Sequence, residues 1–197
     1  MEKKNKILII ILIIIIIPVA YYGVTILEEQ IFYNSIKEIS DIENQSDVLG
    51  DHLRNSTNPS NEEYKEYCIN NIDTCSREIE MLQELKGKVF TDKYKEFIDI
   101  QINRLNSENR TTTLMLNNSN IYQEYKNGTL GYSRALSLIK DNNIAEESYA
   151  NKTSEFKVEA DSFLSVHTGM KNKLYQLGID EDFLYEQIEE VKIKSIT

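Results

Sequence analysis

Apolar residues fall along this chain in two rhythms. From Ile7 to Ile17 they are unbroken, and the stretch from Pro18 to Leu27 continues without a charge. From Glu28 onward they recur at helical spacing with charged and amide residues between them, the pattern of helices that each bury one side.

The first rhythm predicts a membrane span. As a helix, the 21 residues of the 7–27 run extend ~31 Å, the thickness of a bilayer's hydrocarbon core. Lys3, Lys4 and Lys6 precede it and Glu28-Glu29 follow it, so the positive-inside bias places the N-terminus in the cytoplasm and the rest outside. Tyr21 and Tyr22 suit the outer interfacial belt. A basic start and an apolar core also mark a cleaved secretory signal. Cutting after Ala20 or Gly23 would set Pro18 or Tyr21 where a small residue is wanted, which favours an uncleaved signal-anchor. No cysteine near the run suggests a lipoprotein, and no small residue before Ile7 suggests a pilin-type leader.

The second rhythm predicts a series of helices. Phe32, Ile36, Ile39, Ile42, Leu49 and Leu53 mark the first, interrupted by Ser46 and continuous with the span, since no proline and only Gly50 weakens the chain between Val24 and Asn55. The segment from Arg54 to Asn61, with Pro59, reads as a loop. Ser60 followed by Glu63 has the form of a capping box, and Cys68, Ile72, Cys75, Ile79 and Leu82 follow at spacings of 4, 3, 4 and 3. Gly87 is expected to close that helix and Thr91-Asp92 to open the next, with Tyr94, Phe97, Ile98, Ile102 and Leu105 on one side. Weak helix formers between Arg110 and Asn120 leave a break near Asn117 or continuation to Tyr125 open, before Asn127-Gly128 turns the chain.

Thr129 is placed to cap a fourth helix bearing Leu130, Leu136 and Ile139, then Tyr149, Phe156, Ala160, Phe163 and Val166, with a kink around Asp141 to Asn143. Gly169 and Gly178 mark further breaks. Asp180 opens a short last helix with Leu184, Ile188 and Val191 inward. Only two prolines and seven glycines occur, too few to punctuate a many-stranded sheet. The expected fold is all-α: an N-terminal transmembrane helix followed by an elongated antiparallel helical bundle of about four to five helices. Its divisions are a cytoplasmic N-terminus 1–6, a transmembrane signal-anchor helix 7–27 and an extracytoplasmic bundle domain 28–197.

Charge narrows the partners. The chain carries a net charge of -10, and because the first six residues contribute +2, residues 28–197 stand at -12. With no basic stripe to offset this, nucleic acid is excluded as a partner.

Cys68 and Cys75 would be the disulfide of an exported chain. On one straight helix their Cα atoms would lie ~10.5 Å apart, beyond the ~7 Å limit for a bridge. Three arrangements stay open: buried free thiols, a local disulfide that breaks the helix near Asn70-Asn71 or Asp73, and a bridge between chains. His52 and His167 belong to no pair at metal-ligand spacing; a site of His52, Asp51 and Cys68 is weighed against an ordinary solvent-facing histidine. Runs such as Glu62-Glu63 and Glu189-Glu190 point ~100° apart on a helix, as solvated faces rather than acid/base dyads. Asn44, Asn55, Asn109, Asn117, Asn127 and Asn151 each begin an Asn-x-Ser/Thr tripeptide, a glycan acceptor in a cell with the transferase; Asn55 and Asn127 fall on expected turns. Tyr64, Tyr67, Tyr122 and Tyr125 read as a binding face or as bundle-edge packing.

No catalytic, metal or cofactor motif emerges. The expectation is a single-pass cell-surface protein, held by the lipid bilayer through residues 7–27, whose helical ectodomain serves as scaffold or binds a protein partner or another copy of itself without catalysis. The alternative is a ligand-sensing ectodomain acting through a membrane partner. An exported hydrolase lacks a nucleophile with its base.

Overall fold

The computed structural model describes residues 21–44, 53 and 60–179. Within them the chain is helical and has no strand. Helix α1 covers residues 21–44, α2 Asn61–Lys88, α3 Asp92–Lys126, α4 Tyr132–Val166 and α5 Thr168–Gln176. Among the described residues no helix is long and apolar enough to cross a membrane. Of the 7–27 run only residues 21–27 are described, so most of the expected transmembrane helix lies outside the described residues. So do Ser46, Leu49, Asp51, His52, Asn55, Pro59 and the last expected helix with Leu184, Ile188 and Val191.

Side-chain pairs set the directions of the helices. Glu28 meets Thr91 and Glu43 meets Arg104, so α1 runs beside α3 in the same sense. Lys86 meets Asp99 and Asn71 meets Thr112, which makes α2 antiparallel to α3. Phe97 lies against Phe163 and Asn118 against Asn143, so α4 is antiparallel too. Helix α3 is the spine: α1, α2 and α4 all lean on it, and its buried residues run from Tyr94 to Ser119.

The core is unevenly filled. At the Glu28 end, Phe32, Ile36 and Ile39 of α1 join Leu82 and Leu85 of α2, Phe97 and Ile98 of α3, Ala160 and Leu164 of α4, and Met170 and Leu174 of α5. Phe32 stacks on Tyr94 at 4.2 Å between ring centroids and meets Tyr33 and Phe97 edge-on. Toward the Asn127 end the apolar cluster shrinks to Tyr64, Cys68 and Met115, edged by Tyr67 and Leu116.

Local signals fix several boundaries. Ser60 is the N-cap of α2: its hydroxyl accepts from the Glu63 amide and the Glu63 carboxylate accepts from the Ser60 amide, closing the capping box. Helix α2 runs through Gly87 to Lys88 rather than stopping at the glycine. Helix α3 does not break near Asn117, because Asn118 and Ser119 find partners across the bundle instead of competing for their own backbone. Gly128, at φ 73°, makes the following turn. Helix α4 begins at Tyr132 behind Gly131; Thr129 does not cap it but donates to the Glu124 carbonyl. The Asp141–Asn143 segment stays within one helix. The next break falls at His167, two residues before Gly169, and Gly178 at φ 75° follows α5.

Candidate functional site

The least expected group in the interior is Arg104, 1 % exposed on α3. Its guanidinium forks onto the Glu43 carboxylate, Nη1 to Oε1 at 3.1 Å and Nη2 to Oε2 at 3.3 Å. Nη1 also reaches Glu108 at 3.3 Å, and Nε donates to Gln101 Oε1 at 2.9 Å. Glu78 of α2 is buried alongside. Three helices thus converge on one cation. Burial pulls the Arg104 pKa down, but the charges of Glu43 and Glu108 and the hydrogen bond to Glu43 outweigh it and hold the guanidinium charged. Gln101 Nε2 has no hydrogen-bond partner among the described residues.

Beyond Arg104, amide and hydroxyl groups share the interior with the small Tyr64, Cys68 and Met115 cluster. Asn118 donates to Asn143 at 2.8 Å and accepts from Asn142 at 2.9 Å, tying α3 to α4. Thr112 donates to Asn71 at 2.9 Å, and Ser119 donates to Asn61, tying α3 to α2. Such bonds each add little net stability but penalise any register that leaves them unmade.

At the opposite end, Glu28 joins α1 to the α2–α3 turn. Its Oε1 accepts from the amides of Phe90 and Thr91, each at 2.7 Å, and its Oε2 accepts from the Thr91 hydroxyl at 2.7 Å. Thr91, the N-cap of α3, thus spends its hydroxyl on α1 instead of its own helix. Burial raises the Glu28 pKa, but the hydrogen bonds from Thr91 and Phe90 outweigh it and hold the carboxyl below its ordinary value. A depressed carboxylate pKa adds stability that is complete above the ordinary 4.5 and is lost as pH falls through the lower folded value. Glu28→Gln is expected to cost about 1.5–3 kcal/mol at neutral pH, the worth of hydrogen bonds to a charged group. Thermal unfolding of the two proteins at descending pH will show the gap closing on the acid side.

The cysteines sit on one unbroken α2, both buried and both free thiols. Cys75 lies in the large core near Arg104, and Cys68 in the small one. Burial, with a contribution from the Glu146 charge, pushes the Cys68 thiol up to about 12; Cys75 is also raised, by burial and then by Glu108 and Glu78. Neither is poised as a nucleophile. A maleimide at neutral pH is expected to leave folded protein unmodified and to label both thiols after denaturation; labelling of the native chain would mean that the α2–α3 seam opens.

His167 caps the end of α4 with its ring 4.4 Å from Phe163. His52 and Asp51, the proposed companions of Cys68, lie outside the described residues. Among the described residues no cluster of His, Cys, Asp and Glu is arranged to hold a metal ion. Of the sequons, Asn44 is exposed on α1, Asn117 and Asn151 are exposed within helices, and Asn127 is the exposed C-cap of α3. Asn109 is half-buried and donates to Ser76 at 3.1 Å; Asn55 is not among the described residues. Tyr64 is buried, while Tyr67, Tyr122 and Tyr125 are half-buried at the bundle edge, Tyr125 packing on Tyr132.

The Arg104 cluster and the polar ladder escaped sequence reading because Gln, Arg, Asn and Thr carry no periodic signal of burial. A retrospective clue is the spacing of Gln101, Arg104 and Glu108, which share a face with Ile98 and Leu105. No protein-family model matches the chain, and no curated protein or solved structure matches it.

Proposed function

We propose that this chain is a single-pass membrane protein, N-terminus in the cytoplasm, whose helical bundle stands outside and works by contact with a protein partner rather than by catalysis. The observation that carries the reading is the start of α1. Residues 21–27 continue the uncharged run as helix and project apolar side chains away from the bundle: Tyr21 is 71 % exposed, Tyr22 68 % and Leu27 57 %. Exposing such a segment to water is unfavourable, and lipid removes the cost. Immediately behind it, at Glu28, the helix becomes amphipathic and enters the core.

Helix α4 supports the contact role. Tyr132, Leu136, Ile144, Val158 and Val166 are all exposed. At 3.6 residues per turn they fall within an arc of ~160° on the side away from Ala135, Thr153, Ala160 and Leu164. Leu136 and Val166 therefore do not belong to the inner stripe that sequence periodicity assigned to them. Serines and the exposed charges of Lys140, Glu147 and Glu155 stand between these members, so the side offers separate apolar points within a polar surface, as a contact with a protein partner would use.

Alkaline carbonate washing will leave the full-length chain in the membrane fraction, and protease applied from outside will digest residues 28–197. Intact full-length chain in the cytosolic supernatant would overturn the reading.

A further inference from the structure

We infer that the α2–α3 turn is a second membrane contact, with the Phe90 ring seated in the interfacial zone of the same bilayer that holds residues 7–27. The inference rests on the membrane-anchor reading above and deepens it.

The register comes from Glu28. It is the first charged residue after the uncharged run, one helical step of ~1.5 Å beyond Leu27, and its carboxylate is bonded to the amides of Phe90 and Thr91 and to the Thr91 hydroxyl. The turn is thereby held at the level where the chain passes from apolar to charged. Helix α2 arrives at that level and α3 departs from it, so Val89, Phe90 and Thr91 form the tip of a helical hairpin aimed the same way as the start of α1. At that tip Val89 is buried in the core while Phe90 is 48 % exposed. Phe32, Phe97 and Phe163 are all buried.

Charge selects the kind of contact. Lys88 and Lys93 flank the tip, but Lys88 lies 3.5 Å from Glu84, and Lys93 sits over the Tyr94 ring at 4.7 Å. Glu29 and Asp92 stand at the same level. The mixture gives no net attraction to anionic headgroups. The aromatic ring carries the contact, and zwitterionic lipid suffices.

The chain has no tryptophan, so Phe90→Trp gives a sole indole reporter. In full-length protein reconstituted into phosphatidylcholine vesicles, the expected result is a blue-shifted emission that loses intensity with lipids brominated near the headgroup, and does so equally with or without added phosphatidylglycerol. Emission of a water-exposed indole, quenched by acrylamide and not by brominated lipid, would overturn the inference, as would quenching that requires phosphatidylglycerol. Ile14→Trp, in the middle of the run, separates the two readings. If that indole is quenched by deep-brominated lipid and the one at residue 90 is not, the anchor stands and the turn contact falls; if neither is quenched, both fall. Should the Phe90→Trp chain not fold, Phe90→Cys carries a nitroxide instead, and its accessibility to oxygen against that to a water-soluble nickel chelate reads the same depth, a nitroxide reached by nickel as freely as in water refuting the contact.

Discussion

Arg104→Met will destabilise the bundle by about 3–5 kcal/mol, because removing one member of a buried ionic cluster leaves the others charged without compensation. Glu43 and Glu108 both bond to this guanidinium and are themselves buried, with Glu78 close by. Methionine fills most of the volume, so the loss reads charge rather than packing. A urea titration followed by helical circular dichroism will show it as a lower midpoint. Adding Glu43→Met and Glu108→Met to Arg104→Met should return much of the loss, since an apolar replacement of the whole set removes the stranded carboxylates together. Equal midpoints for wild type and Arg104→Met would mean that water reaches the cluster and screens it.

Phe32→Ala is the second large effect, about 3–5 kcal/mol by the usual cost of emptying an aromatic core site. Phe32 is 0 % exposed and packs on Tyr94 and Phe97 of the spine and on Tyr33 of its own helix, so its ring is a central apolar contact between α1 and α3. The loss will be local before it is global. Hydrogen exchange at neutral pH should quicken across residues 28–44 first, while α3 and α4, which pack along most of their length, keep their protection. Uniform quickening across all helices would place α1 in the same cooperative unit as the rest.

The sequence carried the all-α character and the ends marked by backbone chemistry, such as the Ser60 box and the Gly128 turn. It missed the polar members of the α2 seam. On α2 the apolar rhythm ran through Cys68, Ile72, Cys75, Ile79 and Leu82; Cys68, Cys75 and Leu82 are buried and half-buried Ile79 packs against the core, but the inward line also takes in Tyr64, Glu78 and Leu85, with half-buried Asn71 on it. The 4-3 spacing is retained, and along it Asn71 meets Thr112 and Glu78 lies beside Arg104. Hydropathy cannot see this, because a polar residue is buried only when a partner distant in the chain awaits it. On α4 the same blindness worked in reverse: Leu136 and Val166 are apolar and exposed, and their periodicity marks an outer side of the helix.

Helix α1 is held to the hairpin by a carboxylate at each of two levels, Glu28 at the turn and Glu43 at Arg104. No glycine or proline lies between them to absorb a change of pitch. The segment therefore resembles a key cut at two depths: turning it, or drawing it along its axis by one ~5.4 Å turn, frees both wards at once. Slippage of α1 has no intermediate stop, and any force applied at its exposed start is resisted at both levels together or at neither.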